Sequence, residues 1–216
     1  SRKIWIPPYK NNIFYHISTD EVYGSLGLDG SFNEESKYNP NSPYSASKAS
    51  SDHFVRSYHK THKLPILISN CSNNYGPFQH KEKLIPKILN SLINRQKIPI
   101  YGDGKNIRDW LYVDDHCDAI DLILNKGIIG ETYNIGGDSE ISNIDLVYLI
   151  IKIFDEIKSN PPGYSDNLIQ FVDDRAGHDF RYAIDHNKIT KDLGWIPKTN
   201  FNSGIEKTIK WYLKKL

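Results

Sequence analysis

The chain of 216 residues has no methionine and only two cysteines, Cys71 and Cys117. The two lie far apart and form no C-x-x-C or zinc-type spacing, so disulfide scaffolds and small zinc modules are excluded and ordinary thiols in a reducing compartment are expected. Charge of one sign is equally lacking: 27 Lys and Arg stand against 26 Asp and Glu, a net of +1. Without a polybasic block there is no electrostatic footprint for a nucleic acid or a membrane surface. No apolar run approaches the roughly 20 residues of a spanning helix, and the N-terminal stretch has no signal-peptide pattern. The expectation is a soluble cytoplasmic protein, long enough for one large domain or two small ones around a sizeable core. Because the chain starts at Ser1 with no initiator, it is expected to begin inside something larger. A glycine-rich phosphate cradle is also lacking. Gly24, Gly27 and Gly30 have Gly-x-x-Gly-x-x-Gly spacing, but a Pro/Asn/Ser-rich stretch follows them where such a cradle needs a helix.

The sequence does contain alternating structural elements. Asn12 to Ser18 is an aromatic and β-branched run, a strand signal, and its end delivers Thr19, Asp20 and Glu21 into a loop. Pro43 opens a helix to about His62, with Ala46, Ser50, Phe54 and Tyr58 expected as its buried stripe. Pro65 to Ser69 reads as a strand covered on both faces. Strand, helix, strand is a βαβ unit. Beyond Tyr75-Gly76-Pro77 the elements shorten: a helix over Leu84 to Ile93, a strand over Ile98 to Tyr101, a turn at Gly102-Asp103-Gly104, and a strand over Glu131 to Ile135. Asp114, Ser142 with Asp145, and Ser203 with Glu206 are expected to start three further helices, ending near Asn125, Glu156 and Leu213. The fold class is therefore α/β, divided at residues 1–75 and 76–216, with some later segments expected to pack back on the first unit.

Tyr44 and Lys48 sit one helical turn apart. A free phenol, with a pKa near ~10, is a poor base at neutral pH, whereas a neighbouring ammonium favours the phenolate. Taken alone, the pair is equally an exposed Tyr and Lys, and Asp20-Glu21 equally a solvated loop. Position favours chemistry, because both sites flank strands of an α/β sheet, where such folds bind ligands. His59 and His62, on a lysine-bearing helix without a carboxylate partner, read as a solvated face, so no metal is assigned.

Ser18-Thr19-Asp20-Glu21-Val22-Tyr23-Gly24, Tyr44-xxx-Lys48, Ser72-Asn73-Asn74-Tyr75-Gly76-Pro77, Arg108-Asp109-Trp110, Tyr133-Asn134-Ile135-Gly136-Gly137 and Arg175-Ala176-Gly177-His178-Asp179 follow one another in an order that resembles the extended short-chain dehydrogenase/reductases, specifically the dTDP-glucose 4,6-dehydratases. The likeness covers nearly all of the chain. It implies the C-terminal part of a Rossmann-type doubly wound parallel sheet plus a smaller mixed α/β substrate domain. Roughly a hundred residues of the NAD-binding half would then stand before Ser1. It also implies NAD as cofactor, a nucleotide-sugar substrate and a homodimer formed through the Tyr44 helix. By the resemblance Tyr44 is the base for the C4 hydroxyl, with Lys48 beside it, and Thr19 hydrogen-bonds that hydroxyl. Glu21 takes the C5 proton and Asp20 protonates the departing C6 oxygen. Asn73, Lys83, Leu84, Pro99, Tyr101, Arg108, Asn143, Arg175 and His178 surround the nucleotide, and Asn74, with Tyr44 and Lys48, faces the nicotinamide. Within the superfamily, epimerases lack the Asp-Glu pair, and decarboxylases and GDP-mannose dehydratases usually carry Ser before Glu. Two alternatives stay open: a UDP-sugar epimerase or decarboxylase, and a non-catalytic sugar-nucleotide-binding fragment.

Overall fold

The computed structural model describes residue 5 and residues 12–215; the start of the stretch read for a signal peptide, and of the 1–75 unit, lies outside the described residues. In chain order the elements are β1 (Phe14–Thr19), a 3-10 turn (Asp20–Tyr23), α1 (Pro43–His62), β2 (Ile66–Cys71), β3 (Asn73–Tyr75), α2 (Leu84–Ile93), β4 (Ile98–Tyr101), β5 (Ile107–Tyr112), α3 (Val113–Lys126), β6 (Thr132–Ile135), β7 (Glu140–Ser142), α4 (Asn143–Ile157), a second 3-10 turn (Asp166–Leu168), β8 (Ile169–Val172), α5 (Asn187–Leu193) and α6 (Phe201–Lys215).

The expected βαβ unit is present. β1 and β2 pair in parallel from Phe14↔Ile66 to Thr19↔Cys71, so both strands end at the same edge. β2 is buried from Ile66 through Asn70, as a parallel strand covered on both faces must be. β6 joins the other side of β2, also in parallel, although sixty residues separate the two. The remaining strands form a β3-β5-β7 sheet and a β4-β8 pair. Apolar faces of α2, α4 and α6 close the largest core over β4 and β5, with Ile88, Leu89, Ile100, Trp110, Ile150 and Ile205 inside it. A second core lies under β2 and β6, around Leu67, Ile123, Tyr133 and Trp195.

The structure corrects three local expectations. The α1 stripe of Ala46, Ser50, Phe54 and Tyr58 faces outward, with Phe54 68% exposed. The buried residues are Ser45, Ala49 and Asp52, small or polar, and the helix meets the sheet through hydrogen bonds of Asp52 together with apolar contacts of Ala49 and the half-buried Val55. Asp114 does not cap α3; the helix starts at Val113, and Asp114 lies in its first turn, where a carboxylate suits the positive end of the helix. Ser203 lies inside α6, whose first turn is held by Asn200: its Oδ1 accepts from Asn202 N at 3.0 Å and its carbonyl from Gly204 N at 2.9 Å. Pro43 does open α1, and Ser42 and Ser45 close a reciprocal capping box around Tyr44. Ser142 caps α4 as expected, accepting from Asp145 N at 3.2 Å. Sequence periodicity missed β3, β5, β7, β8 and α5.

Candidate active site

The C-terminal ends of parallel β1 and β2 form the floor of the site. Thr19 closes β1; its Oγ1 donates to Asp20 Oδ1 at 3.2 Å and accepts from Glu21 N at 3.3 Å, which turns both acids into the 3-10 turn. Gly24 ends that turn at φ +94°, and a side chain there would meet the Asn39 carbonyl at 2.5 Å. Asp20 is only 1% exposed, and its Oδ2 is buried without a partner. Burial, then the charges of Glu21 and Asp109, push its carboxyl up to about 8, against the opposing pull of Thr19 and Arg108. An unpartnered oxygen on such a carboxyl is where a proton resides. Glu21 is also raised above the ordinary carboxylate value, by burial first and by Asp179, with Arg108, Lys83 and Arg175 all pulling it back down. The two neighbouring acids thus stand in different electrostatic settings.

Tyr44 sits in the first turn of α1, 54% exposed at the mouth of this floor. Its phenol is raised above the ordinary value, first by partial burial and then by Glu21, Cys71 and Asp20. That corrects the expectation of a phenolate favoured by Lys48. The Lys48 ammonium instead donates to the Ile17 carbonyl at 2.8 Å, leaving two of its three N–H groups free. Asn74 lies on β3, and its amide is satisfied by the protein: Nδ2 donates to Cys71 Sγ at 3.4 Å and to the Ser72 carbonyl at 3.1 Å, and Oδ1 pairs with His116 Nδ1 at 2.8 Å. Burial pushes His116 down to about 4, so it is neutral and donates from Nδ1.

Arg108 is buried on β5. Its Nη1 donates to the carbonyls of Ile107 at 2.7 Å and Phe180 at 3.3 Å, its Nη2 to that of Asp179 at 2.9 Å, and its guanidinium lies 4.4 Å from the Tyr182 ring centre. All of these partners are neutral, and two of the five N–H groups remain for an anion. Lys83 and Arg175 are exposed and contribute charge at Glu21. A second group gathers at the corner after β4. Pro99 and Tyr101 pair with Gln170 and Val172 of β8, Leu84 and Asn143 begin α2 and α4, and the Asn143 Oδ1 is buried without a partner. His178 is held there by Asp174 through a 2.7 Å contact to its Nδ1. Asn73 pairs in register with Trp110 beside Arg108. Sequence reasoning assigned no role to Asp109 or Tyr182. Asp109, inside the quoted Arg-Asp-Trp motif, accepts from Gly137 N and Ser139 N, each at 2.8 Å.

The family described as GDP-mannose 4,6 dehydratase matches residues 2–208. The chain belongs to this family. Relatives include a probable dTDP-glucose 4,6-dehydratase of Sinorhizobium fredii, 56% identical over 92% of this chain and 57% of that protein. A dTDP-glucose 4,6-dehydratase of Escherichia coli is 50% identical over 99% of this chain and 63% of that protein. The chain thus spans about three fifths of the length of these relatives. Among solved structures, the Bacillus anthracis dTDP-glucose 4,6-dehydratase in complex with NAD superposes with a TM-score of 0.85 at 48% identity, covering 93% of this chain and 61% of that one. The Streptomyces venezuelae enzyme, solved with NAD and TYD bound, gives 0.87 at 43%, over 95% and 61%. The Rossmann-type α/β fold expected from the motifs is therefore shown. A UDP-glucuronic acid 4-epimerase of Bacillus cereus shares it at 28% identity with a TM-score of 0.84, so family and fold leave the reaction to the site residues.

Proposed function

We propose that this chain carries the catalytic and sugar-nucleotide-binding part of an NAD-dependent dTDP-glucose 4,6-dehydratase, converting dTDP-glucose to dTDP-4-keto-6-deoxyglucose. The single observation that carries the proposal is the pair at the end of β1: a buried Asp20 raised to about 8 beside a Glu21 faced by three cations. Elimination of water needs one carboxylic acid and one carboxylate at adjacent carbons, and a C4 epimerisation needs neither. Tyr44 is the base for the C4 hydroxyl proton, a role that would need positive charge from Lys48 and the bound cofactor to offset the burial and carboxylates that raise its phenol, and Thr19 orients that hydroxyl. Once C4 is a ketone, Glu21 removes the acidified C5 proton and Asp20 protonates the leaving C6 oxygen. NAD, when bound, supplies the oxidation at C4 and the reduction at C6. The residues present fit its nicotinamide end: Tyr44 is open at the strand ends, where such sheets hold cofactors, and Lys48 has two free N–H groups for ribose hydroxyls. Asn74 fits as part of the floor rather than as a direct amide ligand, since its amide is already satisfied.

Arg108, Arg175 and Lys83 bind the diphosphate, and Asn73, Leu84, Pro99, Tyr101, Asn143 and His178 line the nucleotide. The division at residue 76 places most of the nucleotide-binding residues in the second unit, although Asn73 lies in the first and β6 returns to the first sheet. Two free cysteines suit the cytoplasm, and among the described residues no helix is long and apolar enough to cross a membrane. A homodimer through the outer face of α1 accounts for the exposure of Phe54 and Tyr58. The deciding experiment is incubation of the NAD-supplied protein with dTDP-glucose, with the product identified by NMR. A 4-keto-6-deoxy product is expected, and a C4 epimer overturns the assignment. In deuterated water Glu21→Gln abolishes exchange at C5, whereas Tyr44→Phe blocks the preceding oxidation; normal C5 exchange in Glu21→Gln would mean that another group is the base.

A further inference from the structure

One buried group takes no part in this chemistry yet touches both elements that perform it. Asp52 is fully buried on α1, one turn beyond Lys48 and two beyond Tyr44. Three donors converge on its carboxylate: His16 Nε2 at 2.8 Å on Oδ1, and Ser18 Oγ at 3.0 Å and Tyr38 OH at 2.7 Å on Oδ2. A carboxylate only accepts, so His16 presents its Nε2 proton here. Burial pushes Asp52 up, but the bonds from His16, Tyr38 and Ser18 outweigh it and hold the group below the ordinary carboxylate range. Tyr38 is itself fixed, since its oxygen accepts from Arg56 Nη2 at 2.8 Å and from Asn70 Nδ2 at 3.4 Å. The same Asn70 amide donates to the Thr19 carbonyl at 3.1 Å. With Lys48 on the Ile17 carbonyl, α1 is tied to three consecutive residues of β1, His16, Ile17 and Ser18, immediately before the Thr19-Asp20-Glu21 turn.

We propose that Asp52 is a positioning residue that fixes the Tyr44 end of α1 against the end of β1, and so sets the distance between the base and the two acids. The inference rests on the functional proposal above for what those residues do, but not for the tie itself. The fully buried residues of α1 are Ser45, Ala49 and Asp52, and among the described residues its apolar contacts are confined to Ala49, against Val22 and Tyr23, and the half-buried Val55, against Ile66 and Ile68. These small apolar contacts leave the fine register of α1 against β1 to directional bonds, and removing the carboxylate at their centre weakens three hydrogen bonds in a dry site.

The test reads Tyr44 itself. In protein labelled with 13C-tyrosine, the Tyr44 phenol is titrated by NMR in the wild type, Asp52→Asn and Ser18→Ala, with circular dichroism and thermal melting as folding controls. The groups facing Tyr44 are Glu21 and Asp20 from the turn and Cys71 from β2, with Lys48 on its own helix. In the wild type the phenol titrates above the ordinary tyrosine value. In Asp52→Asn that displacement shrinks, because α1 no longer holds Tyr44 in its half-buried place beside the acids; Ser18→Ala, lacking one of the three bonds, moves it the same way by less. If Asp52→Asn is folded and Tyr44 titrates as in the wild type, the proposal is overturned. Should Asp52→Asn fail to fold, Ser18→Ala decides by the same criterion. With NAD and dTDP-glucose present, Asp52→Asn lowers kcat by about 100-fold with KM unchanged, the cost of an ångström of misalignment. A wild type that does not turn over removes the functional proposal, and the Tyr44 titration still decides this one.

Discussion

At the residue scale Asp20, the acid of the proposed reaction, would link its chemistry to the pH response. Its folded carboxyl titrates at about 8, whereas an unfolded Asp titrates near ~3.9. Between those values the folded chain holds a proton that the unfolded chain has released, so Asp20 makes stability fall as pH rises through that window. Asp20→Asn removes the titration, and thermal melting should show it more stable than the wild type by at least ~1 kcal/mol at pH 9, with the gap closing toward pH 4. Dehydration moves the other way. If, as proposed, the acid form of Asp20 delivers the proton, wild-type turnover should decline as pH climbs through about 8, and Asp20→Asn should complete C4 oxidation but release little dehydrated product. Equal stability of the two proteins at high pH would show that Asp20 ionises normally.

At the element scale the turn between β6 and β7 holds the strand that carries Arg108. A side chain on Gly137 would run into the Trp110 carbonyl, closer than any real contact, and the same glycine's N–H donates to Asp109. Gly137→Ala must therefore push β5 aside, and we expect a loss of about 1–3 kcal/mol in chemical denaturation, with weaker nucleotide binding because Arg108 moves with the strand. In the core, Leu67 is fully buried on β2 between its neighbours β1 and β6, so Leu67→Ala should cost roughly 2–5 kcal/mol by the same measurement. Helix α1 is the exception among the elements, because its polar contacts to β1 run through Asp52 and Lys48, its inward apolar contacts are limited to Ala49 and Val55, and its aromatic side chains Phe54 and Tyr58 face outward.

At the scale of the whole molecule that outward face is the site of the proposed homodimer. Phe54 is 68% exposed and Tyr58 43%, one turn apart on α1. Phe54→Glu places a charge at the centre of such an interface, so sedimentation should show a dimer for the wild type and a monomer for the variant. A wild type that sediments as a monomer would remove the homodimer from the proposal. The same helix carries Tyr44 and Lys48 at its start, so association through it would also steady the mouth of the site.

The amino-acid sequence by itself determined the βαβ unit, the helix opened at Pro43, the strand that ends on Thr19 and the order of motifs that marks the family. Each of these depends on local spacing, capping chemistry or apolar runs within one stretch of chain. Only the tertiary structure decided which face of α1 is buried, that β6 returns beside β2, and that Asn74 is locked by His116. It alone brought Arg108 and Asp109, far along the chain, up to Asp20 and Glu21. Periodicity weighs apolar side chains and therefore pointed to Phe54 and Tyr58, whereas hydrogen bonds to His16, Ser18 and Tyr38 set the real face. The physical reason is the same throughout: burial, hydrogen-bond partners and proton affinity are properties of contacts between distant segments, and those contacts exist only once the chain has folded.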